Sequence, residues 1–325
     1  MLVLFVLPLI GSAATAGPTA KADALRLESS VVAMGSAYSV VVYGEDRTRM
    51  EEAVDAAFAE VQRLDQMLSN YKPESELSEI NRYAGERPVA VTQEMFDLLS
   101  ECVEYSRESE GAFDITVGPL MKVWGFYKGT GRLPHRAEIL GAMERVGYRN
   151  IVLDAPHRTV RFAKEGTELD PGGIGKGYAV DRMVDVLKQY GIRTALVSAS
   201  GSSIYGLGTP PDERGWKVEI RDPKNEKKSV AEVYLKDESM STSGNYEKFF
   251  RAEGRIYSHI MDPRTGWPAQ GVLSVSAITP HTIDSEAWTK PLFVNGPPWA
   301  RKHKPAGLRA FFCEDTPEQT CAWLQ

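Results

Sequence analysis

The chain has 325 residues, of which 42% are hydrophobic and 25% are charged, as in an ordinary soluble globular protein. This length allows one large domain or two smaller ones, with a sizeable core. The formal net charge of -6 argues against the basic surface that nucleic-acid-binding proteins normally carry, so we expect no nucleic-acid partner.

The N-terminus is an apolar run, MLVLFVLPLIGSAATAGPTA, that ends in small residues. Ala14–Ala16 has the A-x-A pattern of a signal-peptide cleavage site, although no Lys or Arg precedes the apolar run. The sequence therefore predicts a cleaved signal peptide over residues 1–16 and export, with the periplasm as destination. The run is too short to span a bilayer, and no cysteine lies near the cleavage site, so we expect neither a permanent anchor nor a lipoprotein.

The three cysteines form an odd set. Cys102 lies on the apolar face of a predicted helix and is expected to be a core thiol. Cys313 and Cys321 are close in sequence and would be able to pair in an oxidising compartment, but the sequence leaves that pairing open. No CxxC or His/Cys cluster indicates a zinc site.

Apolar residues at helical spacing predict four helices in the first two thirds of the chain. Thr48 and Glu51 have the spacing of a capping box, and the apolar pattern after them continues to Leu68. The other three helices are predicted at Gln93–Ser109, about Arg136–Arg145, and Tyr178–Tyr190.

Strand patterns begin at Tyr38–Tyr43 and dominate after the fourth helix. Residues 150–154 and 159–163 predict a hairpin. Later strands are predicted at residues 194–200, 216–222, 231–236, 256–262 and 272–279. Helices grouped early and strands in series favour an α+β fold with a largely antiparallel sheet flanked by helices, in a single domain over residues 25–325.

A glycine-rich loop, LDPGGIGKGY, precedes the fourth helix. Because glycine has no side chain, the backbone N–H groups of this loop are accessible to a ligand. The dipole of the helix favours an anion at this end, and Lys176 adds a positive charge. The loop lacks both the P-loop pattern G-x-x-x-x-G-K-[ST] and the dinucleotide pattern G-x-G-x-x-G. Taken alone, it is either a phosphate-binding loop or a tight turn at the start of a helix.

Two further segments carry polar residues close to helices. Ser69–Asn81, SNYKPESELSEIN, is predicted to be a polar loop that leads to Asn81. Gly111–Phe126, GAFDITVGPLMKVWGF, places Asp114 beside Phe113 in an otherwise apolar run. A carboxylate in such a run is either exposed or satisfied by a specific partner.

Two more segments lie in the strand-rich half. Ser241–Phe250, STSGNYEKFF, is predicted to be a small-residue turn that carries hydroxyls. Tyr257–Pro268, YSHIMDPRTGWP, is predicted to turn at Asp262-Pro263. His259 in this segment is either a general base or a hydrogen-bonded turn histidine.

The order and content of these segments resemble the ApbE family of FAD:protein FMN transferases. The matching stretches are AMGSAYSV, SNYKPESELSEIN, GAFDITVGPLMKVWGF, LDPGGIGKGYAVDRM, MSTSGNYEKFF, SHIMDPRTGWP and the helix after SVSAITP, together spanning Met34 to Gly296. The resemblance implies a two-lobed, T-fold-like α+β architecture that binds FAD beside Mg²⁺. It implies transfer of FMN to a Thr or Ser of a partner protein with release of AMP, although some members hydrolyse FAD instead.

The resemblance also implies residue roles. It assigns contacts with FAD to Met34, Ala112, Phe113, Asp114, Asp170, Lys176 and Met261. It places Asn81 where the choice between holding and hydrolysing FAD is tuned, and it gives the carbonyl of Gly173 to the metal. For an exported member, the implied acceptor is a flavoprotein subunit of a membrane redox complex.

The sequence departs from the family at the helix that normally reads D-A-x-x-T-A-L, where the Asp and Thr bind the metal. Here the stretch is IDSEAWTKPLFVNG, with Glu286 at the Asp position and Lys290 at the Thr position. In one reading, Glu286 and Thr289 still hold Mg²⁺ and catalysis survives. In the other, Lys290 occupies the place of the metal, and FAD is bound with little turnover. Pro291 is expected to kink or end this helix.

Overall fold

The computed structural model describes residues 24–318 and 320–325. The predicted signal peptide, residues 1–16, lies outside the described residues. Within the described ranges, no helix is both long enough and apolar enough to cross a membrane.

Seven α-helices lie in the described part of the chain. They are α1 Arg47–Leu68, α2 Glu76–Tyr83, α3 Gln93–Glu108, α4 Gly118–Val123, α5 Arg136–Met143, α6 Gly175–Gln189 and α7 Thr282–His303. The four predicted helices correspond to α1, α3, α5 and α6, with ends that differ by up to three residues.

The strands that the structure describes alternate with these helices and then follow in series. They are β1 Leu25–Ala33, β2 Ser36–Gly44, β3 Val89–Ala90, β4 Ile151–Asp154, β5 Thr159–Phe162, β6 Thr194–Ala199, β7 Ser203–Leu207, β8 Trp216–Asp222, β9 Asn225–Leu235, β10 Glu238–Gly244, β11 Phe249–Ala252, β12 Arg255–Ser258, β13 Met261–Asp262, β14 Trp267–Pro268, β15 Val272–Thr279, β16 Arg309–Glu314 and β17 Cys321–Trp323. The main sheet has the order β1-β2-β6-β7-β10-β15-β16-β17. Each neighbouring pair in it is antiparallel, which confirms the predicted α+β fold with a largely antiparallel sheet.

The two faces of the main sheet are covered by different elements. On β2, the buried Val40 and Val42 belong to the main core with residues of α1 and α6, whereas Val41 and Tyr43 pack with the β8–β9 hairpin. This alternation follows from the two-residue period of a strand. Helices α1 and α6 therefore cover one face of this strand, and the β8–β9 hairpin covers the other.

The N-cap of helix α1 lies two residues before the predicted cap, Thr48. Its N-cap is Asp46, whose carboxylate accepts the backbone N–H of Arg49 at 3.1 Å. Glu51 instead accepts a hydrogen bond from Arg47 at 2.7 Å. The predicted capping box of Thr48 and Glu51 is therefore wrong, because Asp46 is an equally good cap and adds a further half turn.

Two predicted loops contain regular structure. The polar segment Ser69–Asn81 includes most of α2, which Ser75 caps by accepting the N–H of Ser78 at 2.9 Å. Ser241–Gly244, predicted as part of a turn, belongs to β10 and pairs with β15. Both predictions are wrong because burial against the rest of the fold stabilises elements whose own side chains are mostly small or polar.

Helix α7 runs through Pro291, against expectation. The backbone is non-helical at Gly296, with φ 71° and ψ -178°, and Pro297 and Pro298 follow at once. Pro291 is itself buried. Proline removes one backbone hydrogen bond, and the packing of α7 on β10, β15 and α6 holds the helix across that gap.

Two of the three cysteines form a disulfide, and the third is a buried thiol. Cys313 and Cys321 form a disulfide between the paired strands β16 and β17. The sequence left this pairing open. Cys102 is fully buried in the main core, which confirms the predicted core thiol.

Candidate flavin site

The glycine-rich loop lies between a buried carboxylate and the N-terminus of α6. Asp170 caps a short 3-10 helix, Pro171–Gly173, by accepting the N–H of Gly172 at 2.7 Å. Helix α6 then begins at Gly175, and its N-cap residue, Ile174, supplies no side-chain cap, although the carboxylate of Glu286 accepts the N–H of Gly177. The other backbone N–H groups of this first turn and the positive dipole end together favour an anion such as phosphate.

Asp170 is buried and is held by hydrogen bonds from Gly172 and from the hydroxyl of Tyr127. Burial raises the pKa of Asp170, while these donors and the positive charge of Lys248 oppose that rise. Tyr127 in turn accepts a hydrogen bond from Asn70 at 2.8 Å. Asp170 therefore lies in a hydrogen-bonded network with Tyr127 and Asn70.

Asn81 holds the backbone immediately before Asp170. Its amide oxygen accepts the N–H of Leu169 at 2.7 Å, and its amide nitrogen donates to the carbonyl of Leu169 at 3.0 Å. Both polar ends of the amide are thus engaged with one peptide segment. In this structure Asn81 positions Asp170, and its influence on the fate of FAD stays a prediction.

The segment Ala112–Asp114 contacts the glycine-rich loop through Phe113. Asp114 is buried and accepts three hydrogen bonds, from the backbone and hydroxyl of Thr116 at 2.8 and 2.6 Å and from the N–H of Tyr148 at 2.7 Å. Burial raises its pKa against the effect of these donors. Phe113 packs on Gly173, where an added Cβ would lie 3.4 Å from its ring.

Met34 contacts the loop from the β1–β2 turn. Its φ of 51° lies in the left-handed region, and its N–H donates to Asp65 at 3.1 Å. Its sulfur accepts a hydrogen bond from Tyr38 at 3.4 Å. A Cβ on Gly175 would lie 3.1 Å from the Met34 methyl group, so this side chain covers the start of α6.

His259 lies between β12 and β13, and Met261 is the first residue of β13. Nδ1 of His259 is 3.1 Å from the carbonyl oxygen of Lys248, an acceptor, so Nδ1 carries the proton and Nε2 is left as an acceptor. Burial, and then the positive charges of Lys248, Lys290 and Lys176, lower the pKa of His259 to about 4. The imidazole is therefore neutral at neutral pH. Met261 is buried in a separate aromatic cluster around Trp124.

Lys176 and Lys290 extend from α6 and α7 into the same region. Lys176 donates to the hydroxyl of Ser202. The charge of Lys176 disfavours the protonated form of Lys290. Burial, as the larger cause, and this repulsion lower the pKa of Lys290 to about 8, while Glu286 opposes the shift.

The two side chains that the resemblance assigns to a metal, Glu286 and Thr289, are already hydrogen-bonded within the protein. The carboxylate of Glu286 accepts the N–H of Gly177. The hydroxyl of Thr289 donates to the carbonyl of Glu286 at 2.7 Å and accepts from Ser243 at 2.8 Å. Lys290 Nζ lies 3.3 Å from the same hydroxyl and 3.9 Å from Glu286 Oε1.

This donor set does not fit Mg²⁺. Mg²⁺ requires near-octahedral oxygen ligands, and an ammonium among them repels the ion. The described residues contain no group of three or more His, Cys, Asp or Glu side chains that could hold a metal ion. The site is thus better suited to an anion than to a divalent cation.

A comparison with protein families identifies this arrangement. The model of the ApbE family matches residues 34–312, which is most of the chain. The chain belongs to the ApbE family. Helix α6, the loop before it and the region of Lys290 all lie inside the matched range.

Named relatives in the ApbE family are flavin transferases. The chain is 31% identical to a FAD:protein FMN transferase of Klebsiella pneumoniae strain 342, over 81% of each protein. It is 33% identical to the FAD:protein FMN transferase of Treponema pallidum strain Nichols, over 81% of this chain and 77% of the relative.

Solved ApbE structures share the fold. The ApbE protein of Thermotoga maritima superimposes with a TM-score of 0.84 at 29% identity, over 91% of this chain and 96% of that one. The flavinyl transferase ApbE of Pseudomonas stutzeri gives a TM-score of 0.80 at 28% identity, over 92% and 94%.

Three site residues were missed by the sequence analysis. Lys248 lies within the quoted segment STSGNYEKFF, Tyr127 follows directly after another quoted segment, and Ser202 lies in the β6–β7 turn. Nothing in the local pattern distinguishes them. Their partners, His259 and Asp170 among them, are distant in sequence and meet them only in the folded chain.

Proposed function

We propose that this chain is an exported FAD:protein FMN transferase whose site lies between the N-terminus of α6 and α7. The observation that carries the proposal is the start of α6, whose N-cap residue supplies no side-chain cap, beside Lys176 and Lys290 on a chain of the ApbE family. Backbone N–H groups and ammonium groups suit the pyrophosphate of FAD. The relatives' activity supplies the substrate class.

Each group then has a role in the transfer. The α6 N-terminus and Lys176 stabilise the negative charge that develops on the phosphate oxygens. Nε2 of neutral His259 accepts the proton of the attacking Thr or Ser hydroxyl. The hydroxyl oxygen forms a bond to the phosphorus of the FMN half, the bond to the bridging oxygen breaks, and AMP leaves.

The acceptor, the compartment and the metal belong to the same proposal. We infer that the acceptor is a flavoprotein subunit of a membrane redox complex and that the protein acts in the periplasm after loss of residues 1–16. The ligands of the family's Mg²⁺ would be Glu286, Thr289 and the carbonyl of Gly173. Because these groups do not fit the ion here, no step above depends on it.

The test is the formation of AMP from FAD. The purified protein is incubated with FAD, with and without a flavin-acceptor protein from the same organism, and nucleotides are separated by chromatography. Acceptor-dependent AMP supports transfer. AMP and free FMN without acceptor would identify a FAD hydrolase, and intact FAD in both arms would contradict the proposed activity.

A second function is favoured by Lys290. Its ammonium lies where the family has a metal-binding hydroxyl, so the chain is alternatively a FAD-binding protein with little or no turnover. Stoichiometric, fluorescent FAD that co-purifies with the protein and stays uncleaved would favour this second function.

A further inference from the structure

We propose that the ammonium of Lys290 takes the place of the divalent cation, so that this chain binds the FAD pyrophosphate without metal. The proposal rests on the proposed FAD site and adds how that site neutralises its substrate. It concerns binding, and therefore holds for either of the two functions above.

The aliphatic part of the Lys290 side chain packs against Gly173, whose carbonyl the resemblance assigns to the metal. A Cβ added to Gly173 would lie 3.5 Å from Cε and 3.9 Å from Cγ of Lys290. The side chain therefore extends along α7 onto the loop that precedes α6. A metal ion bound to the Gly173 carbonyl and to Thr289 would have to share this space with the ammonium.

The ammonium of Lys290 is surrounded by oxygen atoms that accept its hydrogen bonds. Nζ donates to the carbonyl of Glu286 at 3.1 Å and to the hydroxyl of Thr289 at 3.3 Å. An ammonium has three N–H groups, and among the described residues these are its two recorded acceptors. One N–H thus remains for a ligand, and a phosphate oxygen is a suitable acceptor.

The former ligand groups are fixed in an arrangement without metal. Glu286 uses its carboxylate to accept the N–H of Gly177 and so ties α7 to the first turn of α6. Thr289 completes a hydrogen-bonded chain from Ser243 to the carbonyl of Glu286. The substitution of Thr by Lys at position 290 is thus accompanied by a closed network, rather than by a set of open ligands.

The positive charges around the site favour the binding of an anion. Lys176 and Lys290 repel each other across the start of α6, whose dipole is also positive at this end. Lys290 supplies one of the two charges of Mg²⁺, and the carboxylate of Glu286, 3.9 Å from its Nζ, offsets part of that charge. Lys176 and the helix dipole add the remaining positive charge that faces the two negative charges of a pyrophosphate diester. Such a cluster becomes favourable when the anion is bound, because each lysine then gains a charge-assisted hydrogen bond.

The first test uses the wild-type protein, freed of flavin, and titrates it with FAD by fluorescence quenching. We expect the same dissociation constant in chelator and in millimolar Mg²⁺. Binding that appears only with Mg²⁺ would overturn the lysine proposal and leave the FAD site intact. Absence of FAD binding in both conditions would instead overturn the proposed function, along with this inference.

The second test removes the charge with Lys290→Met and, as control, Lys302→Met, an exposed lysine of the same helix. Loss of a hydrogen bond to a charged group should weaken FAD binding by about 10- to 100-fold in Lys290→Met, with no rescue by Mg²⁺. Lys302→Met should bind as the wild type does. Unchanged affinity in Lys290→Met would overturn the proposal. Lys290→Arg, which keeps a cation, should retain more affinity and shows that the position tolerates substitution.

The third test restores the family residue with Lys290→Thr. We expect FAD binding by this variant to become dependent on a divalent cation, and Mn²⁺ binding to be detectable by electron paramagnetic resonance in the variant and absent in the wild type. Equal Mn²⁺ binding by both proteins would contradict the proposal, because it would place a functioning metal site beside Lys290.

Discussion

Gly177 on α6 and Thr282 on α7 lie so close that a Cβ on Gly177 would overlap the carbonyl oxygen of Thr282. The same Cβ would lie 2.9 Å from Cβ of Glu286. Asp181, one turn further along α6, caps α7 by accepting the N–H groups of Thr282 and Ile283, each at 2.8 Å. The two helices that build the proposed pyrophosphate site are thus fixed to each other by a glycine contact and a carboxylate cap.

Gly177→Ala should separate these two helices. Because backbone atoms of α7 cannot move without repacking the core, we expect a loss of about 1–3 kcal/mol in the free energy of unfolding. FAD binding should weaken as well. Urea unfolding and FAD titration measure the two effects.

The matched control is Gly141→Ala. Gly141 lies in α5, where an added Cβ meets nothing within 4 Å. Alanine there should stabilise the protein by about 0.5–1 kcal/mol, since glycine is the poorer helix former. Equal behaviour of the two variants would show that the contact of Gly177 with α7 is unimportant.

Removal of the Asn81 amide should disturb the glycine-rich loop through the backbone of Leu169, the first residue of the loop. Asn81→Ala leaves the N–H and carbonyl of Leu169 without their partner, which should cost about 1–3 kcal/mol of stability. The FAD dissociation constant should rise because Asp170 is no longer held. If the variant loses turnover with unchanged stability and FAD affinity, Asn81 acts directly on the reaction.

Acid should weaken the ion pairs that Glu60 makes with Arg63 inside α1 and with Arg182 on α6. Hydrogen bonds and charge from Arg63, and then Arg182, hold the pKa of Glu60 below its usual 4.5. A lowered folded-state pKa means that this stabilisation is present above the unfolded pKa and disappears as the pH falls through the folded one. Glu60→Gln should therefore lose about 0.5–1 kcal/mol near neutral pH and flatten the decline of stability below about pH 5.

Urea unfolding at a series of pH values measures this effect. Glu52→Gln is the control, because Glu52 is exposed on the same helix and has no ion-pair partner among the described residues. Identical pH profiles for wild type and Glu60→Gln would refute the assignment.

Reduction of the Cys313–Cys321 disulfide should release the edge strand β17. Closing so short a loop is worth about 2–3 kcal/mol in the chain-entropy account. Dithiothreitol should lower the unfolding midpoint of the wild type and leave that of the Cys313→Ser, Cys321→Ser double variant unchanged. A wild-type midpoint that does not respond to the reductant would argue against the bond.

The long helices could be predicted from sequence because their local pattern and their burial agree. In α1, the residues from Met50 to Leu68 that recur at helical spacing are the ones that the structure buries. Helix α2 has eight residues, of which only Leu77 and Ile80 are buried, so its pattern resembles a polar loop. Short elements of this kind depend on tertiary packing, which local spacing does not record.

The site was predicted in part, for a similar reason. Family motifs located Asp170, Lys176 and Glu286 along the chain. They did not give the partners of these residues, since Tyr127, Ser202 and the N–H of Gly177 come from elements far apart in sequence. Asp114 illustrates the limit, because its carboxylate is used by Thr116 and Tyr148 inside the protein.

In the proposed function, this site transfers FMN from FAD to a protein hydroxyl. The most direct measurement is mass spectrometry of a flavin-acceptor protein after incubation with this chain and FAD, with a Thr-to-Ala acceptor variant as control. We predict a mass increase of one FMN, less one water, on the wild-type acceptor alone, together with AMP. An unmodified acceptor in the presence of bound FAD, with and without Mg²⁺, would contradict the claim.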